Sequence, residues 1–220
     1  MWKETYRAYW KEVREHPELF KRSKLKHMRY AAALSYISYK MGKSVRSREL
    51  ARDMGRMAAY MLAIDDQVDE ALDTGPRIKG LLKELSPEME QALEFYWEVE
   101  KQKPRDVSTW AIYAVFNSAG AFEYYVNLAY PEHYPKLQSF FRYLRKGMLF
   151  VNVVDNYSDW PEGERNLFSY IPREAFRPIV NRMLKDFPFH ERVILRAYAG
   201  VVLAEGALKT FSVRRESRSL

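Results

Sequence analysis

The chain has 220 residues, 47% of them hydrophobic and 15% aromatic, with a formal net charge of +7. That balance suits one globular domain and excludes a disordered or fibrous chain. Cysteine is absent, which excludes disulfides and thiolate metal centres.

Taken in order, the residues between the proline and glycine breaks have helical character, and no β-branched alternating run stands out. Helices are predicted near 2–15, 18–40, 46–72, 77–84, 87–101, 106–129, 134–159, 174–186 and 189–212, with a frayed tail over about 213–220. Ser86-Pro87-Glu88-Met89-Glu90 carries a cap, a first-turn proline and early acids. The expected class is therefore all-α, as a single domain over 1–220. The opening residues lack the apolar core of a signal peptide, and no apolar run reaches membrane-spanning length. The expected setting is cytoplasmic.

Charge is uneven along this series. Residues 1–56 hold 15 Lys/Arg against 6 Asp/Glu, whereas residues 57–104 hold 5 against 11. The basic stretch is compatible with peripheral membrane association, although no anchor is visible. It matches no recognised DNA- or RNA-binding motif, so no nucleic-acid partner is expected.

The acids concentrate at two places. In "MAAYMLAIDDQVDEALDTG", residues 57–75, Asp65 and Asp69 lie four apart and share a helix face. Behind them the face runs through Leu62, Met61, Ala58, Gly55, Met54 and Ala51. In "GMLFVNVVDNYSDWPEGERN" Asp155 and Asp159 repeat the spacing, behind Val151, Met148, Leu144 and Phe141. Both pairs fall late in their helices, where carboxylates meet the negative end of the dipole at a cost of roughly 0.3–1 kcal/mol each. A compensating cation is expected. Two facing pairs would form an oxygen-rich site for Mg²⁺, which takes one or two carboxylates and shares phosphate oxygens. The apolar faces would line a pocket for a hydrocarbon tail.

At these residues the chain resembles the squalene/phytoene synthase family, within the wider isoprenoid-synthase fold. "AAYMLAIDDQVDE" is similar to the family's first aspartate-rich helix, and "DNYSDWPEGERNLFSYIP" to its second. The resemblance implies a helical bundle around a central cavity, head-to-head condensation of prenyl diphosphates, and Mg²⁺ held by Asp65, Asp69, Asp155 and Asp159. It places Arg165 on the diphosphate and matches Tyr170-Ile171-Pro172 to the motif's ending. Arg145, with Arg142 and Lys146, is a further candidate for diphosphate contact. The pattern departs at Leu62, Met148, Val151 and Val154.

"DDQVD" also satisfies the DDxxD pattern of class I terpene synthases, which adds Asp66 to the metal ligands. Asp155, Asp159 and Glu162 together resemble the motif of large terpene synthases. A cyclase is thus one alternative, and a non-catalytic prenyl-lipid-binding protein is another. Tyr113, Phe116, Phe122, Tyr125, Phe141 and Tyr198 are aromatic candidates for stabilising a carbocation. The small residues 117–121, "NSAGA", accommodate either a prenyl tail or close helix packing.

Overall fold

Ser86 and Pro87 show how the helices begin. Ser86 Oγ accepts a hydrogen bond from Met89 N at 3.3 Å, and Pro87 fills the first helical turn, where no backbone donor is missed. The computed structural model describes residues 1–20, 24–69, 75–102, 104–158 and 166–216.

Among these residues the chain is all-α, without strands. The helices are α1 (Trp2–Glu15), α2 (Lys24–Met41), α3 (Arg48–Asp69), α4 (Gly75–Leu82), α5 (Pro87–Glu100), α6 (Val107–Phe116), α7 (Ser118–Ala129), α8 (Tyr134–Ser158), α9 (Phe176–Leu184) and α10 (Phe189–Glu216). Short 3-10 turns occupy Pro17–Leu19, Leu167–Ser169 and Arg173–Ala175. No helix among the described residues is long and apolar enough to cross a membrane.

Most predicted helices match within a few residues, and three differ. Where a helix is expected over 18–40, a 3-10 turn occupies Pro17–Leu19 and the α-helix is described from Lys24, with 21–23 outside the described residues. The helix expected over 106–129 is two helices, broken at Asn117, whose φ and ψ are −63° and −99°. Its side-chain oxygen accepts from Ser118 N at 2.5 Å, so an asparagine amide competes locally with the helical ladder. The last helix continues to Glu216, past the expected end at 212; residues 217–220 lie outside the described ones.

Contacts group the chain into two units, each made of two sequence segments: residues 1–102 with 115–145, and residues 103–114 with 146–220. In the first unit α3 is central and packs on α1, α2, α4, α5 and α7. From Met57 to Ile64 only Ala58 escapes full burial. The α1–α3 crossing turns on Gly55. A Cβ there would sit 2.3 Å from the Thr5 carbonyl oxygen and 3.0 Å from both Ala8 Cβ and Tyr9 N.

Polar groups seal that crossing. Thr5 Oγ1 donates to the Ala51 carbonyl at 2.8 Å and lies 2.7 Å from Ser38 Oγ, joining three helices through one buried hydroxyl. Tyr9 Oη lies 2.7 Å from His27 Nδ1. Glu12, buried on α1, accepts from Arg56 Nε at 2.9 Å and from Tyr60 Oη at 3.1 Å.

The second unit has its own core. Trp110 and Ala114 of α6, Phe150, Val153 and Val154 of α8, and Ala199 and Val202 of α10 bury together with Leu167, Phe168, Phe176 and Leu184. Tyr157 stacks on Phe176 at 3.9 Å between ring centroids, and the Arg173 guanidinium lies 4.3 Å from the Tyr157 ring.

Gly55→Ala is expected to destabilise the protein by about 1–3 kcal/mol, because backbone rather than a flexible side-chain tip blocks the new methyl. At Gly147 a Cβ would find nothing within 4 Å. Gly147→Ala is therefore expected to gain about 0.5–1 kcal/mol from helix propensity. Urea midpoints measured at unchanged slope check both signs.

Candidate functional site

The first acidic end lies on the last turns of α3. Met61, Leu62, Ala63 and Ile64 are buried immediately before it. Asp65 is half-buried, and Asp66 is 2% exposed. The deepest carboxylate is thus the second of the tandem. A helix buried on nearly all sides shields the residue next to the expected face as well as the face itself. Asp69 ends α3, and its side chain lies outside the described residues.

The second acidic end lies on the last turns of α8. Asp155 is half-buried and accepts from Tyr198 Oη of α10, with Oδ1 at 3.3 Å and Oδ2 at 3.4 Å. These bonds are long, and they straddle both oxygens. Tyr198, expected as an aromatic face, meets the site through its hydroxyl. Asp159, Glu162 and Arg165 lie outside the described residues. The two acidic ends belong to different units.

Around Asp155 an asparagine pair organises the backbone. Asn156 Oδ1 accepts from Trp110 Nε1 at 2.9 Å and from Leu167 N at 2.6 Å. The Asn156 carbonyl accepts from Asn166 Nδ2 at 2.6 Å, and Asn166 Oδ1 accepts from Phe168 N at 2.9 Å. Ser158 Oγ donates to the Val202 carbonyl at 3.0 Å. Neither Asn156 nor Asn166 belongs to the acidic pattern that marks this segment. Their available signal was two asparagines flanking the acidic segment, since such amides bind nearby backbone.

The diphosphate candidates divide. Arg145 donates through Nη2 to Glu123 Oε2, while Tyr134 Oη donates to Glu123 Oε1 at 3.0 Å. Its charge is thus already matched by a carboxylate within the first unit. Arg142 and Lys146 are exposed. Tyr170 Oη donates to the Pro104 carbonyl and ties the segment after the second motif to the start of the second unit. Among the aromatic candidates, Phe122, Tyr125 and Phe141 are buried in the first unit, and Phe116 is exposed. Ala119, Gly120 and Ala121 are buried on α7, which packs on α5 and α3. That placement accords with their role in close helix packing.

Two other charged clusters belong to the first unit. Asp53 Oδ2 accepts from Tyr125 Oη at 2.6 Å and from Tyr130 Oη at 2.5 Å. Burial, then the hydrogen bond and charge of Asp53, push both phenols well above their ordinary 10.0. Tyr60 is raised in the same way by burial and by Glu12. Among the described residues, Glu12, Glu15 and His16 bring ligand-type atoms within 4.8 Å of one another. Each Glu12 oxygen there already accepts one donor, from Arg56 or from Tyr60, which ties this carboxylate to the α1–α3 packing.

Comparison with protein-family models, curated proteins and solved structures finds no match to the chain.

Asn156→Ala strips acceptors from Trp110 Nε1 and Leu167 N, and is expected to cost about 1–3 kcal/mol in a urea melt. For the tyrosines the sign follows from their raised values. The folded state holds the phenolic protons more tightly than the unfolded chain does. That stabilisation is complete below pH 10 and falls away as pH climbs toward the folded values. Ultraviolet titration is expected to show Tyr60, Tyr125 and Tyr130 ionising only as the protein unfolds, with Asp53→Asn advancing Tyr125 and Tyr130 but leaving Tyr60 in place.

Proposed function

We propose that the chain is a Mg²⁺-dependent isoprenoid synthase that ionises an allylic prenyl diphosphate, in a head-to-head condensation of the squalene/phytoene synthase kind. One observation carries this conclusion: two helices each carry, in their last turns, a carboxylate withdrawn from solvent directly after buried apolar residues, Met61 to Ile64 on α3 and Val153 and Val154 on α8. Asp66 is 2% exposed, and Asp155 is half-buried beneath a tyrosine hydroxyl. Each carboxylate faces both a desolvation cost and the adverse end of its helix dipole. A bound divalent cation offsets both.

The donor chemistry fits. Carboxylate oxygens are the hard ligands Mg²⁺ takes; Asp65, Asp66 and Asp69 would supply them in the first unit, and Asp155, Asp159 and Glu162 in the second. When bound, Mg²⁺ supplies Lewis-acid neutralisation of a departing diphosphate. The protein's own groups do the rest. The Tyr198 hydroxyl lies 3.3–3.4 Å from the two Asp155 oxygens and offers one of them a weak hydrogen bond. Arg165 offers charge-assisted hydrogen bonds to phosphate oxygens. The hydroxyl of Tyr170, bound to the Pro104 carbonyl, anchors the segment that follows Arg165.

A second activity on the same substrate class is favoured by the depth of Asp66. The DDxxD arrangement of class I terpene synthases uses adjacent aspartates, and here the second of them is the more buried. Cyclisation and condensation both begin with loss of diphosphate, so the product distinguishes them.

The test incubates the full chain with farnesyl or geranylgeranyl diphosphate and Mg²⁺, measuring released diphosphate and extracting hydrocarbons. Turnover that stops with a chelator is expected. Asp65→Asn and Asp155→Asn are each expected to lower it at least about a hundredfold while thermal melts shift little. A coupled hydrocarbon identifies condensation and a cyclic one the synthase of the second kind. Tight binding of the diphosphates without turnover would assign a binding protein, and neither binding nor turnover at any chain length ends the proposal.

A further inference from the structure

The start of α1 carries aromatic–cation dipeptides at four-residue spacing: Trp2-Lys3, Tyr6-Arg7 and Trp10-Lys11. On a helix, residues four apart stack along one face. An aromatic ridge of Trp2, Tyr6 and Trp10 therefore runs beside a basic ridge of Lys3, Arg7 and Lys11. Trp2 and Tyr6 remain 47% and 43% exposed, and the Arg7 and Lys11 side chains 73% and 65%. Exposed aromatics of this size in a row are uncommon on a solvated face.

The feature continues onto the neighbouring turn. Met1, Trp2, Tyr39, Gly42, Lys43 and Arg46 line a groove of about 300 Å³, with no acid among them. Tyr39 is 51% exposed. Gly42 lets Met1 approach, since a Cβ there would meet Met1 Cγ at 3.1 Å. Among the described residues Lys3, Lys43 and Arg46 make no ion pair. Arg7 and Lys11 have only loose ones, 3.9 Å from Glu4 and 3.8 Å from Glu15.

We propose that this surface, the aromatic and basic ridges of α1 with the groove between its start and the turn after α2, docks the protein on an anionic lipid membrane. The charge calls for an anionic partner, and the amphipathic rings are those that settle at a headgroup boundary with their cationic neighbours toward phosphate. The ring geometry selects lipid over a nucleic-acid strand. Stacking of bases needs open ring faces. Here the Lys43 ammonium lies 4.8 Å from the Tyr39 ring centre and Lys3 lies 5.7 Å from that of Trp2. Trp10 packs edge-on with Tyr9 at 5.6 Å. A cation thus already lies against one face of Tyr39 and one of Trp2, and Trp10 is engaged with Tyr9.

Co-sedimentation of the full chain with phosphatidylcholine vesicles, with and without phosphatidylglycerol, tests this without any enzymatic readout. Binding is expected only to the anionic vesicles, weakening with added salt, with a blue shift of tryptophan emission. Each cation removed is expected to cost about fivefold, so Lys43→Gln with Arg46→Gln weakens binding about 25-fold. Trp2→Ser with Tyr6→Ser removes most of the binding and of the shift. These residues are exposed, and unchanged circular dichroism verifies the fold of each variant. No binding to anionic vesicles, or binding indifferent to both double variants, overturns the proposal. So does tighter retention of a single-stranded oligonucleotide that the same variants abolish.

Discussion

The close crossing of α1 over α3 at Gly55 is the constraint on which the first unit depends. At that point the Thr5 carbonyl occupies the space of the missing side chain, 2.3 Å from where a Cβ would stand. Such proximity places the Thr5 hydroxyl within reach of the Ala51 carbonyl and of Ser38. It also lets Glu12 meet Arg56 and Tyr60 from the opposite helix. A wider crossing would strand these polar groups in the interior, where an unmade hydrogen bond costs far more than a made one gains. The glycine and the buried polar cluster are therefore one device.

The half-buried acids of this protein have distinct occupations. Asp53 accepts two phenols, Glu123 accepts a phenol and a guanidinium, and Glu12 does the same more deeply. Each is a carboxylate matched by donors from other helices, and each fixes packing. The acids at the ends of α3 and α8 differ in position. They follow apolar turns and sit against the unfavourable pole of their helices, where only a cation or a donor from elsewhere restores the balance. Asp155 has the Tyr198 hydroxyl in that capacity. This contrast in position, rather than the number of acids, separates structural carboxylates from the candidate site.

In the second unit a few amides shape the segment around Asp155. Asn156 and Asn166 bond backbone groups of each other's surroundings, and Tyr170 reaches the Pro104 carbonyl. These contacts bring the residues after the acidic motif back onto α8 and α6. The stacking of Tyr157 on Phe176 under Arg173 closes the same region from the side of α9.

Helix existence was legible in the sequence, because periodicity, Pro17, Pro87 and the cap at Ser86 are local signals and α-helical hydrogen bonds are local too. The position of Asp65 and Asp155 in the last turns of their helices was equally legible, since the signals that end a helix are local; Asp159 and the Asp69 side chain lie outside the described residues. The break at Asn117 was not, because a single asparagine within an apolar run reads as tolerable until its amide is seen capturing Ser118 N. Nor was the commitment of Arg145 to Glu123, the role of Asn156, or the greater depth of Asp66 than Asp65. Each of these depends on what another helix, distant in sequence, brings alongside, and no local pattern encodes a partner's position. Sequence alone determined where the helices run and where the acids fall along the chain; tertiary packing decided which side chains are already engaged, through desolvation and hydrogen bonds that exist only once the helices have met.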